Sequence, residues 1–515
     1  MTRQMLLIEE EPGYGPVLKV LADVSDFSGD HENPNFPPDD AFDKWRFNSK
    51  RADLTPIRSV FECPYGWANY LNNTFALPGS GIRTLGTSGG ATVYLPMTGV
   101  TAWNHTPVFD FFLRHDNGWN YPNHWSGDSP SHGADNNWGT NFNPTISFST
   151  QPTDPANPLA HGAWPPYRTI GVSAEFTPWA STHYMNFVLF DIHGMTTTSP
   201  DQGVNAPNVY AEANLPWATG GVPVEGQVFS QLDNNGFRVA RPGYDANSAT
   251  ENQMIIGGTP RPLLYFTKRV TLAPGEQGVY PLPPETPSDA ICLMQWHNSG
   301  GSQRFLPSIW VGNRTTTSVF EAAWKIENGN LHVANIRQAT TEYLLIVMGR
   351  SAHPSASNDP VVTSIDSNGK KYIRFNKDGY VTLDTRYGYL PIIKTGTIPL
   401  SGTVTSPAAS VASVSFPQQS YIPFVLAYLD SQMIYSITFT DTGNTVTFNQ
   451  RRIRPFRLYQ NSFDQYDSGS FTAHVGTSSI DFRWNYSTFY KDVNAGVQHI
   501  PYRINYIIFG VPNFD

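Results

Sequence analysis

The sequence predicts an all-β protein built as three tandem antiparallel β-sandwich modules with long loops. Three observations predict it. Apolar runs of about four to eight residues, rich in Val, Ile, Phe and Tyr, are bounded by Pro, Gly, Asn, Asp and Ser, which is the pattern of strands and turns. Helical periodicity is nearly absent; only Ser318 to Lys325 could form a short helix, with a strand equally compatible. The same ordered landmarks recur three times, and repeats of this kind decide architecture before any single element does.

The first landmark is an aromatic–arginine strand opening: Trp45-Arg46-Phe47-Asn48, Phe237-Arg238-Val239 and Ile373-Arg374-Phe375-Asn376. The second is a strand running into a Leu/Pro/Gly turn: Phe75 to Gly79, Val270 to Gly275 and Thr397 to Gly402. A short apolar run comes third, at Pro107 to Leu113, Ala290 to Met294 and Pro423 to Tyr428. Each copy closes with an apolar strand at or near a glycine: Met185 to Phe190 before Gly194, Tyr343 to Gly349, and Ile504 to Gly510. These landmarks divide the chain into an N-terminal segment, 1–44, read as a docking arm; a module at 45–195; a linker at 196–236; a module at 237–350; a linker at 351–372; and a module at 373–515. A length of 515 residues suits this count, because domains usually run to about 100 to 200 residues. Antiparallel sheets with one apolar face bury it by packing on each other, hence sandwiches.

Composition narrows function. Charged residues are 15% of the chain and aromatics 13%, with 42 Gly and 42 Pro; an average soluble protein carries about 25% charged residues. Low charge with many aromatics suits a chain that buries surface against other subunits. A net charge of −9 with a pI near 5.8 argues against nucleic-acid binding, which needs clustered Lys and Arg. The one basic run of note, Arg451-Arg452-Ile453-Arg454, is read as capping or crossing a strand rather than contacting nucleic acid. Cys63 and Cys292 fall in different modules, so both are expected buried and free. Glu9, Glu10 and Glu11 stand where a signal peptide needs an apolar core, and no run of about 20 apolar residues occurs. Neither export by that route nor membrane insertion is expected.

The first module carries a long insertion, residues 115–168, rich in His, Trp, Asn, Asp, Gly and Pro. His115, Asp116, His124, Asp128, His132 and Asp135 are residue types that bind Zn or Fe, but their spacing matches no fixed ligand motif. They are read as loop residues, with no metal and no cofactor assigned. Among them stand Trp119, Tyr121, Trp125 and Trp138, amid several Asn residues. Flat aromatic faces beside amides and carboxylates suit sugar recognition or protein anchoring; packing of the insertion on its own module or a neighbouring subunit is the competing reading. Trp119, Tyr121, His124, Trp125 and Trp138 are therefore the candidate receptor contacts. No Gly-x-Ser-x-Gly elbow and no Cys with a nearby partner stands in a credible strand-turn-helix context, Asp and Glu are scattered so that sequence gives no catalytic pairing, and no Gly-rich phosphate loop precedes a helix, so the chain is read as a non-enzyme.

The second module opens Phe237-Arg-Val-Ala-Arg-Pro-Gly-Tyr-Asp-Ala-Asn-Ser-Ala-Thr-Glu-Asn-Gln-Met-Ile-Ile256. Read physically, Pro242-Gly243 sets a tight turn, Asp245 bonds backbone amides ahead of it, and Gln253 to Ile256 returns as a strand. This segment resembles a signature of tail-tip and tail-fibre proteins of long-tailed bacteriophages. Phe375-Asn-Lys-Asp-Gly-Tyr-Val-Thr-Leu-Asp384 is similar to its Asp-Gly variant, and Tyr506 to Gly510 resembles the closing strand of such proteins. The first module departs from the pattern at Arg46 to Leu54. The resemblance implies a structural component of a phage tail end, made in the host cytoplasm and residing in the virion, that takes part in host attachment with its modules strung along an axis. It further implies partners among other tail proteins and copies of itself, a trimer being the usual state of such fibres, together with a bacterial surface receptor. A soluble lectin-like glycan-binding protein and a capsid decoration protein are the alternatives.

Overall fold

The computed structural model describes 38 strands and some of their connections between residues 6 and 512. Side chains are described mainly within 17–21, 37–50, 118–120, 226–256, 263–298, 322–350, 359–399, 412–427, 473–484 and 504–512. No α-helix occurs among the described residues, and the sheets are small and almost wholly antiparallel.

The first stretch opens with a meander of β1 (Leu6–Glu11), β2 (Gly15–Leu21) and β3 (Trp45–Asn48), with β2 in the middle. Part of the segment expected as a separate arm is thus laddered onto Trp45 to Asn48, with Val17, Leu18, Val20 and Leu21 buried. The long strand β4 (Asp53–Tyr65) follows, then the hairpin of β5 (Ala76–Leu77) and β6 (Ser80–Gly81). Next come β7 (Arg83–Thr87), β8 (Gly90–Pro96), β9 (Val108–His115) and β10 (Asn120–Pro122). The stretch ends with β11 (Phe142–Ser149), β12 (Thr169–Glu175) and β13 (His183–His193). The last strand, β13, lies antiparallel between β4 and β9, and β12 lies between β8 and β11.

A second meander consists of β14 (Ser230–Asp233), β15 (Gly236–Ala240) and β16 (Met254–Ile256), again with its second strand central. The turn before β16 forms as its residues dictate. Gly243 takes the left-handed φ of +85°, which costs a glycine nothing. Asp245 accepts hydrogen bonds from the amides of Asn247 at 2.8 Å and Val228 at 3.1 Å, and those bonds hold its carboxyl below the ordinary carboxylate range. The chain continues through β17 (Pro262–Leu272), β18 (Gln277–Pro281), β19 (Ile291–Asn298) and β20 (Arg304–Phe305). It ends with β21 (Ile309–Val311), β22 (Ala322–Glu327), β23 (Asn330–Asn335) and β24 (Thr341–Arg350). Residues 322–325, open to helix or strand by sequence, are strand. The last strand, β24, lies between β17 and β19, and β23 between β18 and β22.

The third meander is β25 (Val361–Ile365), β26 (Lys371–Lys377) and β27 (Tyr380–Asp384). After it come β28 (Ile392–Pro399), β29 (Ala409–Ser415) and β30 (Phe424–Met433), then the hairpin β31 (Ile437–Asp441) and β32 (Asn444–Phe448). The basic run lies inside a strand, β33 (Gln450–Pro455). β34 (Tyr459–Asn461), β35 (Phe471–Val475), β36 (Ser479–Trp484), β37 (Tyr490–Asp492) and β38 (Val497–Phe509) complete the chain. Here β38 lies between β28 and β30, and β36 between β29 and β35. The two sheets meet through a buried cluster that includes Ile393, Val425 and Ile508 from one and Val414, Val475 and Phe482 from the other. Burying each such side chain is worth about 1.5–3 kcal/mol.

One pairing pattern therefore recurs in all three stretches: the last strand (β13, β24, β38) lies between the first long strand (β4, β17, β28) and a middle strand (β9, β19, β30), while β12, β23 and β36 pair with β8, β18 and β29. Even the irregularities recur. In each meander the central strand slips against the third by one residue, at Val20/Leu21, Val239/Ala240 and Phe375/Asn376. Each long ladder has a bulge near its opening, at Ile57, Tyr265 and Ile393, where an extra residue bends the strand and increases its twist. By this register the counterpart of Phe237 to Ala240 and Ile373 to Asn376 is Leu18 to Leu21, not Trp45 to Asn48; the latter matches Met254 to Ile256 and Val381 to Asp384.

Ladders also cross between stretches. β10 of the first pairs with β22 of the second, β33 of the third pairs with β11 of the first, and β20 of the second runs beside β35 of the third. β21 and β34 add a short parallel pair between second and third. The three meanders meet in one buried cluster containing Leu18, Val20 and Phe47, Val239 and Ile256, and Phe375, Val381 and Leu383.

Candidate functional site

Two places on the described surface combine aromatic rings and charge. The first is the β10–β22 crossing, where the aromatic insertion begins. Gly118 turns the chain with φ +80° between β9 and β10, and Asn120 then pairs with Arg114 on one side and Trp324 on the other. Trp119, half-buried, is therefore held at the junction of the first and second stretches. The Lys325 ammonium lies 5.4 Å from the Trp119 ring centroid and donates to Glu327 Oε2 at 2.7 Å. That hydrogen bond and the lysine charge hold the Glu327 carboxyl below its ordinary range. A cation over one ring face fixes the indole by cation–π attraction. Asn120, 6% exposed, has its side-chain oxygen buried with no hydrogen-bond partner among the described residues.

Of the five candidate contacts, the side chain of Trp119 alone is described. Tyr121 is placed by its backbone in β10, opposite Leu113. His124, Trp125 and Trp138 lie outside the described residues, as do Asp116, Asp128, His132 and Asp135; His115 is placed by its backbone at the end of β9. Among the described residues no group of three His, Cys, Asp or Glu could hold a metal ion. Cys292 is free and buried, and burial pushes its thiol pKa up, which opposes thiolate chemistry; the Cys63 side chain lies outside the described residues. No described helix is long and apolar enough to cross a membrane.

The second place is a concavity of about 460 Å³ on the third meander, lined by Thr363, Ser364, Ile365, Lys371, Tyr372, Ile373 and Thr385. Its hydroxyls, one ammonium and one phenol ring are suited to hydrogen bonding and stacking. Its wall is fixed from behind. The Arg386 guanidinium stacks 3.7 Å from the Tyr372 ring centroid, donates to both carboxylate oxygens of Asp384 at 3.0 and 2.7 Å, and is ion-paired with Glu285. Tyr387 donates to the other Glu285 oxygen at 2.6 Å. Burial pulls the Glu285 carboxyl upward, but the Tyr387 hydroxyl and the Arg386 charge together outweigh it and leave the pKa below its ordinary value. Burial also favours the neutral Tyr387 phenol, as does its bond to Glu285.

The sequence reading missed this concavity. Its lining takes consecutive residues, Thr363 to Ile365 and Lys371 to Ile373, which strand alternation does not single out, and nothing in the sequence revealed Arg386 and Glu285 converging from 101 residues apart. No protein-family model, no curated protein and no solved structure matches the chain.

Proposed function

We propose that this chain is a structural component of a bacteriophage tail end, a tail tip or tail fibre, that takes part in attachment to the host cell. The observation that carries the reading is the Phe237 to Ile256 segment, whose sequence resembles the tail-protein signature and in which the turn residues Gly243, left-handed, and Asp245, bound to two backbone amides, have definite conformational tasks. The recurrence of one meander and one pairing rule supports reading the finer architecture as three antiparallel β-sandwich modules.

In this reading the chain works by surface complementarity and breaks no bond. Its partners are other tail proteins and a bacterial surface receptor, and it resides in the virion. The receptor contacts belong to the 115–168 insertion, with Trp119, Tyr121, His124, Trp125 and Trp138 as anchors; aromatic residues with a polar rim are the usual energetic centres of such contacts. Trp119 supports the assignment because its ring is half-exposed at a structural junction and steadied by Lys325.

Immunogold labelling of intact virions whose genome encodes the chain tests the proposal. Label at the distal tail is the expected result. Label on the head favours a decoration protein, and absence of label, with glycan binding by the free protein, favours a lectin.

A further inference from the structure

The meanders and ladders repeat, and the manner of their joining has a direction. The sheet β4-β13-β9-β10 of the first stretch continues into β22-β23-β18 of the second. The sheet β17-β24-β19-β20 of the second leads, through β20 beside β35, to β35-β36-β29 of the third. The sheet β28-β38-β30-β33 of the third continues into β11-β12-β8-β7 of the first. At every joint the same outer strand of the four-stranded sheet meets the same outer strand of the next stretch's second sheet. The relation runs first to second, second to third and third back to first.

We propose that the chain is a covalent trimer: three repeats closed into a ring about one pseudo-threefold axis, so that a single copy fills a threefold position that three identical chains would otherwise build.

Closure is the decisive feature. Head-to-tail contacts give an open array unless the rotation between units returns to the start, in which case they give a ring. The β33–β11 ladder makes that return: Ile453 pairs with Ile146 and Gln450 with Ser149, joining the last repeat to the first across some 300 residues of sequence. The axis has its own core. Val20, Val239 and Phe375 occupy the same position beside the recurring slip, as do Phe47, Ile256 and Leu383 on the neighbouring strand, and all six fall in one buried cluster. A row of beads along an axis would instead give each meander a core of its own. Buried polar ties cross between repeats as well: Gln295 donates to the Pro423 carbonyl at 3.2 Å and accepts from the Val425 amide at 3.1 Å. The homotrimer implied by the tail-fibre resemblance is thereby supplied within one chain, and this inference stands independently of the tail reading.

Two experiments on the full-length chain test it. In the first, site-specific protease sequences are inserted in 196–225 and 351–358, the protein is cut after folding, and its mass is measured under native conditions. Expected before cutting is a species of one chain, near 57.2 kDa, and after cutting the same particle, which separates into three fragments only in denaturant. Fragments that part on cutting, or an uncut chain that runs as a homotrimer, overturn the proposal. The second needs no insertion: a photo-crosslinking residue replaces Ser149 in a mixture of isotope-labelled and unlabelled chains. Crosslinks to the Gln450 region confined to the same chain are expected. Crosslinks between labelled and unlabelled chains, or none to that region, overturn closure within one chain.

Discussion

Phe237 and Phe375 stack with ring centroids 4.7 Å apart and planes 24° from parallel, although they belong to the central strands of different meanders. Their contact ties the second and third repeats at the shared core. Phe375 is 6% exposed, and truncating a buried Phe costs about 3–5 kcal/mol through lost transfer energy and the cavity left behind. Phe375→Ala is expected to lower stability by that amount and to loosen protection of all three meanders together. Urea unfolding gives the first quantity, and amide exchange followed by peptide the second; loosening confined to 361–384 would contradict a common core.

At Gly243 the prediction concerns backbone alone. Its φ of +85° lies where a Cβ meets the following carbonyl, at a cost of about 1–2 kcal/mol. Gly243→Ala is expected to destabilise by roughly that amount, measured by denaturant unfolding, while the β17–β24 ladder keeps its native protection.

The Glu285–Arg386–Tyr387 clasp sets a pH dependence. The folded Glu285 pKa lies below its ordinary value, so the unfolded state takes up the proton first as pH falls. The contribution of Glu285 to stability is therefore fully present above the ordinary Glu range of about 4.3 and is lost as pH falls through the lower folded value. Asp39 acts in the same sense: burial raises its pKa, but Lys50 and Lys19 outweigh this and hold it low. Melting temperatures between pH 7 and pH 3 are expected to fall less steeply in Glu285→Gln than in the unaltered protein. Parallel curves would remove Glu285 from the account.

Trp119 separates receptor contact from mere packing. If it anchors a receptor, Trp119→Ala is expected to weaken binding of the purified chain to host cells by about 30-fold, the equivalent of a 2 kcal/mol interface anchor, while the far-ultraviolet spectrum and chain mass stay unchanged. Leu232→Ser, at a residue 59% exposed on β14 and away from both candidate places, serves as the control and should leave binding intact. Equal binding by the Trp119 variant would assign the ring to the β10–β22 junction alone.

The sequence by itself determined the strand-rich class and the conformation of the Pro242 to Asp245 turn, because each is local: alternation, turn chemistry and a left-handed glycine are written within a few neighbouring residues. It also marked Trp119 as a ring set among polar neighbours. Which strand of the first repeat matches Phe237 to Ala240 was not legible, since Trp45-Arg46-Phe47-Asn48 imitates that opening in residue type while the ladder register places Leu18 to Leu21 there. The clasp of Arg386 with Glu285, and the return of the third repeat onto the first through β33 and β11, were decided by the tertiary structure alone. Backbone hydrogen bonds between edge strands are nearly indifferent to side-chain identity, so the sequence specifies that such an edge exists, and only the packed molecule selects the distant strand that satisfies it.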